Sequence, residues 1–228
     1  MSAQNWALFF LSPNFEDVEQ IDIKDISGAI LLTTLPNEGC KRKFTLMQED
    51  YITLKFSLES PIFFKLGSYV ECDFGLFEVC DLQKPVFNTD NAGYDYELQL
   101  DAHYWKWKNK IFKYTPEVAG QEASWNLTAS LDVQAGIVLR NLKALGYKYK
   151  GQDFVFSIDS TVENKALLMT YDNINILDAC FSMAKKWDCE CWVTENIIHF
   201  GRCESGDAVI FEIEKNVQEM PRSESRST

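Results

Sequence analysis

The chain has 228 residues, 46% of them hydrophobic and 14% aromatic, which is ample material for a packed core and excludes bulk disorder. Its 34 Asp plus Glu outnumber 22 Lys plus Arg, and the formal net charge of -12 repels nucleic-acid backbones and anionic lipid surfaces, so no specific nucleic-acid binding is expected. A membrane-spanning helix needs roughly 20 apolar residues; the longest apolar runs, 6–11 and 29–32, are strand-sized, and no membrane insertion is expected.

The N-terminus lacks the basic region and small-residue cleavage site of a secretory leader, which reads as a chain made and kept in the cytosol. Seven cysteines (Cys40, Cys72, Cys80, Cys180, Cys189, Cys191 and Cys203) form no Cys-x-x-Cys pair and read as free thiols of a reducing compartment. Cys189-Glu190-Cys191 puts two thiols on one face of a strand. With no second ligand pair at suitable spacing, no metal site is assigned.

Up to Tyr114 the dominant signal is alternation. Residues 51–59 send Ile52, Leu54, Phe56 and Leu58 to one face, the period of a half-buried strand. Pro61 and Gly67 then interrupt the pattern. Runs 69–72 and 77–80 read as a hairpin around Asp73-Phe74-Gly75, and 94–100 with 105–114 as another. In such a strand Trp105 and Trp107 face the core while Lys106, Lys108 and Lys110 face water. The same interleaving resembles a single-strand nucleic-acid platform, but the acidic balance and the use of lysines to guard strand edges favour a structural role.

The polar stretch 115–120 reads as a boundary, after which the period changes. Leu131, Ala135, Val138, Leu139, Leu142 and Leu145 follow helical spacing, with Gly146 placed to end the helix. Strands are expected at 154–158 and 166–171. Asp172 or Asn173 then caps a second helix with Ile176, Leu177, Cys180, Phe181, Ala184 and Trp187 on its apolar face and Lys185 and Lys186 at its C-terminal end. Runs 189–193 and 197–200 flank Thr194-Glu195-Asn196 as a hairpin. One more strand is expected at 208–213, before a charged, Ser-rich end that reads as cut rather than finished.

The fold class expected is α+β and mainly β. An antiparallel β-barrel-like domain spans 1–114, a smaller α+β domain (helix, strands, helix, hairpin) spans 115–204, and 205–228 is the start of a second barrel or a disordered tail.

Residues 141–147, 173–179, 187–193 and 197–201 resemble the middle domain of phage baseplate hub proteins, and 47–59, 61–70 and 93–98 resemble the first barrel of prophage tail proteins of the tail-associated-lysin type. The pattern is similar to that of contractile-tail hub and VgrG-like proteins. The resemblance implies a homotrimer in the full-length protein, forming a ring that links the tail tube to the spike or fibre apparatus. Its partners would be other tail proteins (tail tube, distal tail, spike or fibre), its place the virion tail, and its site of assembly the host bacterial cytoplasm. The lysin or peptidase domains that some relatives carry further on are not in this stretch.

Two other functions are open. A cell-wall hydrolase or cysteine peptidase would draw on His103 and His199 with Cys180, Cys189 or Cys191 as nucleophile, yet none of these cysteines has the helix-start or basic setting that lowers a thiol pKa. A carbohydrate-binding β module would stack sugars on exposed aromatics such as Tyr94, Tyr96 or Trp125. Gly136, Gly146 and Gly151 lack the Lys-Ser/Thr of a phosphate loop, so no nucleotide is inferred. No catalytic, cofactor-binding or metal residue is assigned, and the chain is read as a structural protein rather than an enzyme.

Overall fold

The structure, a computed structural model, describes residues 20–35, 40–90, 92–117 and 122–203. The apolar run 6–11 and the strand expected at 208–213 lie outside them. Strands take up 44% of the described residues and helix 17%, so the mainly-β, α+β expectation holds.

The frame is an antiparallel pair, β4 (Glu49–Leu58) and β8 (Gly93–Ala102), in register from Tyr51 opposite Asp101 to Leu58 opposite Tyr94. The alternation legible in 51–59 produces this arrangement. Ile52, Leu54 and Phe56 meet Leu100, Leu98 and Tyr96 on the inward face, and all six are buried. Burial of one such aliphatic or aromatic side chain contributes about 1.5–3 kcal/mol, so the face that carries them is fixed inward.

Six more strands extend the sheet: β1 (Ile21–Lys24), β2 (Ile30–Thr34), β3 (Lys41–Thr45), β5 (Tyr69–Cys72), β6 (Gly75–Glu78) and β7 (Val86–Asn88). Their order is β2-β1-β5-β6-β8-β4-β3, with β7 also beside β8, and the sheet curls into an antiparallel half-barrel. The β5–β6 hairpin turns on Asp73 and Phe74 alone. Gly75 opens β6 opposite Cys72 with φ 117°, a conformation that side chains with a Cβ rarely adopt, and the strand therefore begins two residues earlier than its apolar run.

Residues 105–114 do not form the second strand of a hairpin. One edge of β8 is taken by β4, and the other by β6 and β7 at its two ends with the Gln83 side chain bonded to Gln99 between them. The chain instead winds into a 3-10 helix, Trp105–Asn109. Trp107 is fully buried against Phe154 at 4.9 Å between ring centroids, Trp105 is half-buried, and Lys108 and Lys110 are exposed.

From residue 124 come β9 (Ser124–Ala129), α1 (Leu131–Ala144), the short pair β10 (Lys148–Tyr149) and β11 (Gln152–Asp153), β12 (Val155–Ile158), β13 (Leu167–Asp172), α2 (Ile176–Lys186), β14 (Glu190–Thr194) and β15 (Ile197–Gly201). The helix and hairpin expectations hold, and Gly146 follows α1 with φ 71°. β9 is an addition. The two middle strands do not pair with each other: β13 runs antiparallel to β9, while β12 runs parallel to β15.

The cap of α2 is Asn175, not Asp172 or Asn173. Asp172 is still held in β13 opposite Ser124, and Asn173 turns the chain with φ 48°. Asn175 Oδ1 then accepts from Asp178 N at 2.8 Å, while its Nδ2 donates to Asp178 Oδ2 at 2.7 Å.

Segment 105–114 links the half-barrel to the later elements. Phe112 N donates to Ile174 O at 2.8 Å, and the Phe112 ring packs on Tyr171 at 5.0 Å. Trp125 lies 4.4 Å from Tyr171, completing an aromatic cluster under β9 and β13.

Candidate functional site

A hollow of about 370 Å³ lies where the half-barrel meets the β14–β15 hairpin. Asp50 enters it because it shares the inward face of β4 with Ile52 and Leu54, an odd position for a carboxylate. Arg42 on β3 accounts for it: Nε and Nη2 donate to the two carboxylate oxygens at 2.9 and 3.1 Å, and the Tyr104 hydroxyl donates to Oδ2 at 3.0 Å. The guanidinium also stands over the Phe44 ring at 5.0 Å and the Phe77 ring at 5.7 Å. Burial pushes the Asp50 carboxyl above its ordinary range, partly offset by Arg42, and burial beside Asp50 raises the Tyr104 phenol far above its own.

His103 follows β8 into the same hollow. Its Nε2 lies 2.8 Å from the Glu195 carbonyl, so this nitrogen carries the proton of a neutral ring. Burial pushes its pKa down to about 4. The ring joins the half-barrel to the hairpin turn, where Glu195 holds φ 53°. It acts as a latch between the two.

Of the thiols singled out from the sequence, Cys180 and Cys191 stand side by side in the core. Cys191 is buried against the core beside Cys180, and burial raises its pKa far above the ordinary value. His199, one strand over, faces the opposite side of the sheet: it pairs with Trp192, stacks on that indole at 4.9 Å, and its Nε2 lies 2.6 Å from Thr194 Oγ1. Cys189 is pushed up to about 11 by burial.

Cys72 lines the hollow that holds His103, a neighbourhood the sequence did not suggest. Its thiol donates to the Gly75 carbonyl at 3.7 Å, and burial raises its pKa. An activated thiolate–imidazolium pair requires a lowered thiol and a raised imidazole. Both groups are shifted the other way.

The aromatics considered for sugar stacking fare differently from expectation. Tyr96 is buried, stacked on Phe56 at 4.7 Å, and its hydroxyl accepts from Ile62 N at 2.7 Å and donates to Ile62 O at 2.9 Å. Trp125 is buried in the Tyr171 cluster. Tyr94 is half-buried against Phe87 at 5.2 Å. Core packing claimed the first two because alternation turns them inward.

Among the described residues, no group of three or more His, Cys, Asp or Glu is placed to hold a metal ion. No helix there is long and apolar enough to cross a membrane. The Arg42–Asp50–Tyr104 network escaped sequence reading, although a carboxylate at an inward position of an alternating strand is a signal that could have found it.

No protein-family model and no curated protein sequence matches the chain significantly. Solved structures do match. The prophage tail protein gp18 from Listeria monocytogenes EGD-e superposes with a TM-score of 0.58 over 88% of this chain and 56% of its own, at 11% identity. The chain shares the fold of this part of that tail protein. The 43 kDa tail protein of prophage MuSo2 from Shewanella oneidensis gives a TM-score of 0.56 over 83% of this chain and 57% of its own, at 13% identity. The chain thus spans just over half the length of these tail proteins, and at such identities the likeness concerns the fold.

Proposed function

We propose that the chain is a non-catalytic structural part of a phage-tail baseplate hub, forming one third of a trimeric ring that links the tail tube to the spike or fibre apparatus. The observation that carries this reading is the fold shared with two prophage tail proteins over 83% or more of the chain. In the same reading, residues 1–114 and 115–204 act as two units, with 205–228 leading towards a second barrel. The protein assembles in the host cytoplasm and ends in the virion tail.

The titratable groups support a structural role. His103 is held neutral, the thiols Cys72, Cys189 and Cys191 are held protonated, and Asp50 is clamped by Arg42. Rings need complementary surfaces and symmetry, not reactive groups.

The test is electron microscopy of tails produced with the full-length protein tagged, together with light scattering of that protein in solution. Three copies around the tail axis are expected. A protein that stays monomeric and never joins a tail would overturn the proposal, as would peptidoglycan hydrolysis abolished by Cys72→Ser or His103→Gln.

A further inference from the structure

Residues 105–113 and 140–150 hold eight of the 22 Lys and Arg and not one carboxylate, in a chain whose net charge is -12. Tertiary contacts lay the two stretches side by side. Lys106 Nζ sits 5.3 Å over the Tyr147 ring at one end, and at the other the Asn141 amide bonds both the N–H and the C=O of Lys113, at 3.0 and 2.8 Å. A single lysine at the C-terminal end of α1 is what the helix dipole favours; a strip of this length exceeds it. Among the described residues, ion pairs engage Lys106, Lys148 and Lys150, while no carboxylate pairs with the exposed Lys108, Lys110, Arg140 or Lys143.

The strip begins at the rim of a surface of opposite sign. Lys106 Nζ pairs with Glu78 at 2.7 Å, and Glu78 stands opposite Asp101 in the β6–β8 register. From there a hollow of about 360 Å³ opens on the outward face of the sheet, lined by Thr53, Asp81, Gln83, Glu97, Gln99 and Asp101. Among the described residues, three carboxylates and no cation line it; Lys55 pairs with Glu97 at 3.4 Å. A basic strip and an acidic hollow on the same chain are complementary: head-to-tail association around an axis sets each copy's strip against the next copy's hollow.

We propose that these two surfaces meet between copies of the chain, with the Lys108, Lys110 and Lys143 strip of one copy seated on the Asp81, Glu97 and Asp101 hollow of the next. The inference rests on the hub reading, in which copies surround one axis, and names the contact that holds them. A second copy is the partner that fits, because the surplus of negative charge disfavours approach to a polyphosphate chain while supplying the acidic surface the strip requires.

Sedimentation velocity of the full chain at low and high ionic strength tests it. Self-association is expected to weaken as salt rises. The exposed triple change Lys108→Glu, Lys110→Glu, Lys143→Glu is expected to weaken it by about tenfold or more, as is the pair Asp81→Lys, Glu97→Lys. Mixing the two variants is expected to restore association between unlike copies. A wild-type chain that is monomeric throughout, or self-association indifferent to both reversals, overturns the contact. So does a strip whose reversal abolishes binding to a labelled single-stranded oligonucleotide and leaves self-association unchanged. If reversed chains still enter tails and associate normally, this contact falls and the hub function stands; if the wild-type chain never enters tails, the function falls whatever the salt dependence.

Discussion

Gln83 serves β8 as a side-chain substitute for a strand: its Oε1 accepts from Gln99 N at 2.6 Å and its Nε2 donates to Gln99 O at 2.7 Å. The bridge sits where β8 lacks a neighbour, between β6 at residues 101–102 and β7 at 93–95. An amide is needed because only an amide both donates and accepts in this geometry. Gln83→Ala should cost about 1 kcal/mol, since water can reach the freed groups. Gln83→Glu should cost more at neutral pH, having no proton for the Gln99 carbonyl and adding a charge beside Asp81, Glu97 and Asp101. Urea unfolding of both variants measures this, and a Glu variant as stable as wild type would show that the bridge contributes nothing.

His103 should make stability depend on pH. Its folded pKa, about 4, lies below the ordinary 6.5, so the unfolded chain binds the proton first as pH falls. The contribution is fully present above pH 6.5 and is lost progressively as pH falls to about 4, the loss by then amounting to about 3 kcal/mol. His103→Gln keeps a donor for Glu195 O and removes the titration. The wild-type minus variant difference in unfolding free energy should therefore fall across this window; a flat difference would refute the latch.

Gly201 closes β15 in a place where a methyl group has no room. A Cβ there would meet the Asp159 Cβ at 2.7 Å, and Asp159 cannot retreat because its N–H is bonded to Phe200 O at 2.8 Å. Gly201→Ala should cost about 1–3 kcal/mol by overpacking. Asp159→Gly in the same chain should recover part of the loss. Thermal melts of both single variants and the double variant give the coupling; strict additivity would rule out the clash.

Asn141, buried in α1, bonds Lys113 twice and Ile137 O at 2.8 Å. Asn141→Leu preserves volume but strands the Lys113 N–H and carbonyl. A loss of about 2–3 kcal/mol is expected from two stranded backbone groups. Hydrogen exchange should locate the loosening in residues 110–114. Exchange unchanged there would mean that Asn141 does not tie this segment to α1.

These residues also mark the limit of sequence reading. The alternation of Ile52, Leu54 and Phe56 and the helical spacing from Leu131 to Leu142 show in the sequence because their periods come from backbone geometry alone. The hairpin turns at Asp73-Phe74 and Glu195-Asn196 are local for the same reason. The latch at His103 was not legible, since its partner lies 92 residues away.

The sequence by itself determined which residues of the strongly periodic stretches, such as 51–58 and 131–142, turn to the core, because side-chain periodicity is a property of each segment. Tertiary structure decided whether an apolar stretch could find an open edge. Residues 105–109 carry a strand's alternation, yet β4 holds one edge of β8 and β6, β7 and the Gln83 side chain share the other, so Trp107 reached the core through a 3-10 turn. The same competition for edges sent β12 to β15 and β13 to β9. Pairing is a contest among all strands at once, and no single segment records its outcome.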